Sequence, residues 1–186
     1  LKGTRAAHLR DGIALTKFMY WLSKNYKGKT ETDVAAKLLD FRKKEANFYT
    51  ESFATIAGFG TNAAIVHYHA CPERTATLKK GSVLLLDSGG QYFDGTTDVT
   101  RTIALGDPTA DMIEKNTLVL KGHIALASAV FHQHTTGNEL DLLAREPLLK
   151  LGLDYEHGTG HGVGYFSDVH AGPARISIHA KHSAPL

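Results

Sequence analysis

The sequence predicts an α+β fold in which an antiparallel sheet is covered by helices, and three observations carry that expectation. Two amphipathic helical patterns precede strand patterns, and the same order recurs. This gives α-α-β-β halves of about 1–105 and 108–186, with no residue-by-residue repeat between them. Val83 to Leu86 is an apolar run too short for an ordinary helix, and Gly89-Gly90 follows at once, so it reads as a buried strand ending in a turn. Asp98, Thr100 and Thr102 alternate with Val99, Arg101 and Ile103, the period of a second strand.

Ala14, Phe18, Trp21 and Leu22 at helical spacing predict a first helix over about 4–25, closed by Lys27-Gly28. Thr30 to Asp33 has capping-box spacing ahead of the stripe Val34, Leu38 and Phe41. A second helix is therefore expected over about 31–46, with Lys37, Arg42, Lys43 and Lys44 on its solvated face. Residues 53–58 and 63–68 read as two short strands split by the segment 58–62, with His67 near the end of the second. Asp107 as N-cap and Pro108 at the first helical position predict a long helix to about residue 133, in which Ile113, Leu120, Ile124, Ala127 and Phe131 keep one face apolar. A second capping-box spacing, Thr136 to Glu139, opens a shorter helix carrying Leu140, Leu143 and Ala144, which Pro147 should kink or end.

Composition excludes several classes of function. The 186 residues are 42% hydrophobic and 22% charged, which suits one domain with a proper core. A formal net charge of +2 without blocks of like charge disfavours nucleic acid or an anionic membrane as partner. No secretory pattern and no apolar run long enough to cross a bilayer is present. The one cysteine, Cys71, excludes an intrachain disulfide and fits a reducing compartment. The 11 histidines gather at glycine-rich and strand-end positions, where they suit metal or acid–base chemistry.

Asp87 and Asp98 are placed to face each other across the hairpin. Two ionised carboxylates at close range repel, and burying either without a partner costs several kcal/mol. A divalent cation between them resolves the conflict. The alternative is that Asp87 caps the Gly-Gly turn while Asp98 pairs with Arg101 on an exposed strand. A second polar cluster runs from Glu156 to His170. His157 and His161 have the spacing of a helical zinc motif, but Gly158, Gly160, Gly162 and Gly164 disfavour a helix there. Glycine at every second residue instead marks backbone passing close to a ligand or another strand, with imidazoles projecting from it. Three histidines, at 157, 161 and 170, beside a separate aspartate pair point to a metal or catalytic role.

The strings LLLDSGGQYFDGTTDVTRT and HGTGHGVGYFSDVH resemble those of the Xaa-Pro aminopeptidase (aminopeptidase P) group, within the pita-bread metallopeptidase superfamily that also holds methionine aminopeptidase and prolidase. The resemblance covers almost the whole chain, and DGTTDVTRT distinguishes this group from methionine aminopeptidases. It implies a pita-bread fold and a metallo-exopeptidase that hydrolyses the N-terminal Xaa-Pro bond with a hydroxide bridging two divalent ions, Mn²⁺ in the first place and Zn²⁺ or Co²⁺ as alternatives. By the same resemblance Asp87 chelates one metal, Asp98 bridges two and His161 binds the other. His170 stabilises the reacting carbonyl, His67 sits at the substrate end and His157 lies in the pocket around the proline. The implied partners are peptides with proline at the second position, a homodimer is compatible, and the implied compartment is the cytoplasm. Carboxylate and imidazole donors suit such ions.

The sequence ends before the two downstream glutamates that complete the family's metal site, so residues 1–186 read as a single partial catalytic domain lacking its final strands. A catalytically incomplete peptide- or protein-binding module, and a prolidase- or creatinase-type hydrolase, are the competing readings. For the 186 residues alone, the expected outcome of calorimetric metal titration is weak binding of a single divalent ion, with no cleavage of Xaa-Pro peptides. Tight binding of two ions, or robust turnover, would overturn it.

Overall fold

The computed structural model describes residues 1–166, 168–179 and 184–186. The chain divides into two compact units, Leu1–Pro108 with Val163–Val169, and Thr109–Gly162 with His170–Leu186.

The first unit opens with α1 (Lys2–Asn25), whose Ala7, Ala14, Leu15, Phe18 and Leu22 are buried at helical spacing. Helix α2 (Glu31–Arg42) begins at the expected capping box: Thr30 Oγ1 accepts from the Asp33 amide, and the Asp33 carboxylate accepts from the Thr30 amide at 2.8 Å. That second bond is the main reason the Asp33 carboxyl is held below the usual carboxylate range. The helix stops at Arg42, four residues before the expected end. Arg42 is also not on a solvated face. It is fully buried, with Nε on Asp11 Oδ1 at 2.8 Å and Nη2 on Asp11 Oδ2 at 3.1 Å and on Ser88 Oγ at 3.1 Å.

Strands β1 (Phe48–Phe59), β2 (Ser82–Tyr92), β3 (Gly95–Thr96) and β4 (Val99–Leu105) form one antiparallel sheet with β2 in the middle. Here the structure corrects the reading of Asp87 as the end of a strand. β2 continues through Gly89-Gly90 to Tyr92, so no turn exists at the glycines and Asp87 cannot cap one. The register runs unbroken from Ser82↔Leu105 to Ser88↔Val99 and resumes at Gln91↔Thr96 and Tyr92↔Gly95, with the turn at Phe93-Asp94. A glycine is needed at 89, because a Cβ there would collide with the Thr97 carbonyl and the Ser52 hydroxyl.

Alternation sorts β2 into two faces. Leu84, Leu86, Ser88 and Tyr92 are buried on the side that packs with Phe18, Leu22, Val34 and Leu38 of the helices. The Tyr92 hydroxyl donates to Asp11 at 2.9 Å, and burial, with Asp11 beside it, drives its pKa far upward, so it remains a donor. Asp87 lies on the opposite face.

Residues 63–68 do not form a strand. A 3₁₀ turn at Gly60–Ala64 follows β1, and successive turns then take the amides of Ile65 and Tyr68 that a ladder would use. The long loop to Ser82 is organised around the buried Glu31 carboxylate. It accepts from the Phe59 amide at 2.7 Å, Asn62 Nδ2 at 3.0 Å, the Tyr68 hydroxyl at 2.8 Å and the Ala76 amide at 2.8 Å.

The second unit holds α3 (Ala110–Ala127), α4 (Gly137–Leu149) and the antiparallel pair β5 (Gly160–Val163) and β6 (His170–Ile176). Thr109, not Asp107, caps α3, because Asp107 turns to Lys80 at 2.8 Å. The helix ends six residues before 133, with the Ser128 hydroxyl donating back to Ile124 O at 2.7 Å. Helix α4 begins at the expected Thr136–Glu139 capping box. It runs on past Pro147, which lies in its last turn, where the missing N–H removes only one bond. The glycine-rich segment is extended, as its composition predicts: Gly162 sits so close to Ala171 O that a Cβ would come within 2.5 Å of it.

Removing Asp11 leaves the Arg42 guanidinium buried and uncompensated. Asp11→Ala is expected to lower unfolding free energy by roughly 3–5 kcal/mol in urea denaturation. Lys17→Ala, which breaks only the exposed pair with Glu45, should change it by less than about 1 kcal/mol. Equal effects would show that the buried pair does not organise this unit.

Candidate metal centre and its surroundings

In the first unit the hairpin carries both aspartates. Asp87 on β2 pairs with Thr100 on β4. Asp98 lies in the link between β3 and β4, directly before β4 begins at Val99. Thr100 Oγ1 donates to Asp87 Oδ1 at 2.7 Å. That bond fixes the rotation of the Asp87 carboxylate. On the neighbouring residue, Arg101 Nη1 donates to the Thr100 carbonyl at 2.7 Å.

His67, also in the first unit, is exposed and has a left-handed backbone, φ 58°. It lines an open pocket of about 590 Å³ together with Asn62, Tyr68, His69, Arg74 and Thr75.

The second unit carries the other three candidates. His161 on β5 and His170 on β6 meet edge to face, with ring centroids 4.3 Å apart, and His161 Nδ1 bonds the Gly162 carbonyl at 2.8 Å. His157 stacks on Tyr155 at 4.8 Å, with Nδ1 on the Gly158 carbonyl at 2.9 Å. Among the described residues, no group of three or more His, Cys, Asp or Glu side chains is gathered that could hold a metal ion.

Sequence reasoning missed what holds the histidine loop. Arg145 is buried on α4 and donates from Nε to Asp141 Oδ2 at 2.6 Å, from Nη1 to Asp154 Oδ1 at 2.8 Å and from Nη2 to the His157 carbonyl at 2.7 Å, while its guanidinium lies 3.9 Å from the centre of the Tyr155 ring. Burial opposes its charge, yet the bonds to Asp141 and Asp154 hold its pKa above the usual value. Asp141 also accepts from the Thr159 hydroxyl and from the Ile178 amide at 3.1 Å. An Asp and an Arg four residues apart are available from the sequence as a helical pair, but nothing local says that the pair is buried.

Comparison with known proteins gives the class to which this fold belongs. The profile of Metallopeptidase family M24 matches residues 2–186, and the chain belongs to that family. Aminopeptidase P2 of Arabidopsis thaliana is 49% identical over 189 residues, covering 100% of this chain and 27% of its own length. A probable Xaa-Pro aminopeptidase P of Paracoccidioides brasiliensis is 48% identical, covering 98% of this chain and 30% of its own length. The X-prolyl aminopeptidase of Caenorhabditis elegans, described as a cytosolic enzyme with a di-nuclear active site, superposes with a TM-score of 0.92 at 45% identity over 98% of this chain and 30% of that one. The α+β architecture is thus the pita-bread one, and the chain spans less than a third of the length of these relatives. No helix among the described residues is long and apolar enough to cross a membrane.

If Thr100 orients Asp87, Thr100→Val in the full-length protein should weaken divalent-metal binding about tenfold by calorimetry, while Thr100→Ser keeps it. Unchanged affinity in the valine variant would remove the positioning role.

Proposed function

We propose that the full-length protein is a metal-dependent aminopeptidase that hydrolyses the N-terminal Xaa-Pro bond, and that residues 1–186 are part of its one catalytic domain. The observation that carries this reading is the Asp87 carboxylate, turned by Thr100 on the hairpin that also carries Asp98, in a chain of Metallopeptidase family M24. Its ligands are Asp87, Asp98 and His161, a carboxylate–imidazole set that fits two hard or borderline divalent ions, Mn²⁺ first and Zn²⁺ or Co²⁺ otherwise. When bound, such ions polarise a peptide carbonyl and lower the pKa of water.

The chain's own groups do the rest of the work in this reading. His170, in contact with His161, directs an imidazole N–H at the oxygen of the scissile carbonyl, where negative charge develops. His157, held by Arg145 and backed by Tyr155, forms a wall for the proline ring. Proline offers no N–H, so selection rests on shape and on its fixed φ. His67 contacts the substrate beyond the proline. The substrates are peptides with proline at the second position, the partner is a second copy of the chain rather than nucleic acid or membrane, and the compartment is the cytoplasm.

The competing reading is a peptide-binding module without catalysis. Activity separates the two. The metal-loaded full-length protein should release the first residue of Ala-Pro-Ala, lose that activity to a chelator and regain it with Mn²⁺. Asp98→Asn should lower kcat/KM by more than about 100-fold, beyond what an outer-sphere partner contributes. Near-normal turnover in that variant would sink the bridging role, and no turnover in the wild type would leave the module.

A further inference from the structure

We propose that the pocket at the end of β1 is a carboxylate subsite, with Arg74 as its principal cation and His69 and His67 beside it. The proposal rests on the aminopeptidase reading above and extends it to the far end of the substrate.

The pocket is built, not incidental. Its floor is the Asn62–Tyr68–Glu31 cluster: Asn62 Nδ2 donates to both Glu31 and the Tyr68 hydroxyl, and that hydroxyl donates to Glu31 and approaches the Arg74 carbonyl at 3.3 Å. A tight turn, with the Arg74 amide on the Cys71 carbonyl at 2.9 Å and the Cys71 amide on the Arg74 carbonyl at 3.2 Å, sets Arg74 at the edge. All four bonds accepted by the Glu31 carboxylate come from β1 and the loop, so its charge is already committed.

The polar groups that face the opening are not committed in this way. Among the described residues the Arg74 guanidinium and the His67 and His69 rings make no hydrogen bond or ion pair, and one guanidinium with two imidazoles stands against the single rim carboxylate of Glu73. A planar guanidinium is the group best suited to grip a carboxylate with two parallel bonds.

Position supplies the register. Ile56 on β1 pairs with Asp87, and Phe59, where the pocket segment begins, pairs with Leu84. Three residues of strand span about 10 Å, the reach of about three residues of extended peptide. An exopeptidase keeps the amino terminus at its ions, so only the carboxyl-terminal side of the peptide extends away from Asp87. The group that arrives at Arg74 is therefore a carboxylate two or three residues beyond the scissile bond, either the free C-terminus of a short peptide or an acidic side chain at that place.

The test uses the metal-loaded full-length protein with Ala-Pro-Ala, Ala-Pro-Ala-amide and Ala-Pro-Asp-amide, together with calorimetric binding of the uncleavable Pro-Ala and Pro-Ala-amide. Wild type should show a KM roughly fivefold lower for a peptide carrying the carboxylate than for the neutral amide, the upper range for an exposed ion pair, and the advantage should fade with salt. Arg74→Gln should collapse that ratio toward one, and Arg74→Lys should restore part of it. Whichever carboxylate carries the preference identifies its source. Equal KM for all three peptides, or a ratio untouched in Arg74→Gln, overturns the subsite while leaving the aminopeptidase reading intact. If no peptide is cleaved, that reading fails, and the calorimetric arm decides: Pro-Ala binding no tighter than Pro-Ala-amide, or an advantage that survives Arg74→Gln, overturns the subsite as well.

Discussion

The buried pair of Asp11 and Arg42 ties the first unit together. Asp11 comes from α1, Arg42 from the last turn of α2, and their bonds reach Ser88 and Tyr92 on the central strand. Two charges removed from water are costly apart and tolerable only together, so the geometry of three elements is fixed at one point. The apolar positions around it, Phe18, Leu22, Val34, Leu38, Leu84 and Leu86, are compatible with many relative rotations of helix and strand. The ion pair is not. Because Ser88 and Tyr92 are held on the helix side, strict alternation puts Asp87 on the other side.

The same device recurs wherever this chain holds a loop. Glu31 gathers four donors and shapes the loop that carries His67, His69 and Arg74. Arg145 gathers the 154–157 segment and, with Asp141, the start of β5 and the segment beyond β6. Each is a charged group nearly or fully withdrawn from water whose charge is met by several hydrogen bonds. Irregular backbone without its own ladder thereby becomes positioned. The candidate histidines His67, His157, His161 and His170 stand on such segments or on the short strands next to them, and His67 does so with a left-handed φ that its surroundings must hold.

Aromatic contacts supply a different kind of restraint in the first unit. Phe166, also at positive φ, donates its amide to Thr96 Oγ1 at 3.2 Å and lays its ring against Tyr49 and Phe93. The Tyr165 hydroxyl donates to the Phe93 carbonyl at 2.9 Å. The segment that follows the HGTGHG string is thus anchored to the tip of the hairpin that carries the aspartates, through rings that remain largely exposed.

Much of this was legible in the amino acids alone, and the reason is that it is local. The bounds of α1, both capping boxes, the two-residue period that marks β4, and the extended state of the glycine-rich segment depend on residues within about four positions of one another. What local pattern could not report is burial of charge. Arg42 read as a solvated cation because its partners lie 31 and 46 residues away. Asp87 read as the end of a strand because Gly89-Gly90 usually marks a turn, whereas here β1 continues the ladder across it and β3 resumes the pairing on the other side. The segment 63–68 has the composition of a strand but turns instead, with its Tyr68 hydroxyl drawn to Glu31, 37 residues earlier, whose carboxylate also claims donors on either side of the segment. Periodicity therefore determined which side of each element was apolar, and only the tertiary structure decided which charges were drawn inside, because a buried charge is stabilised by whatever long-range partners the fold brings to it.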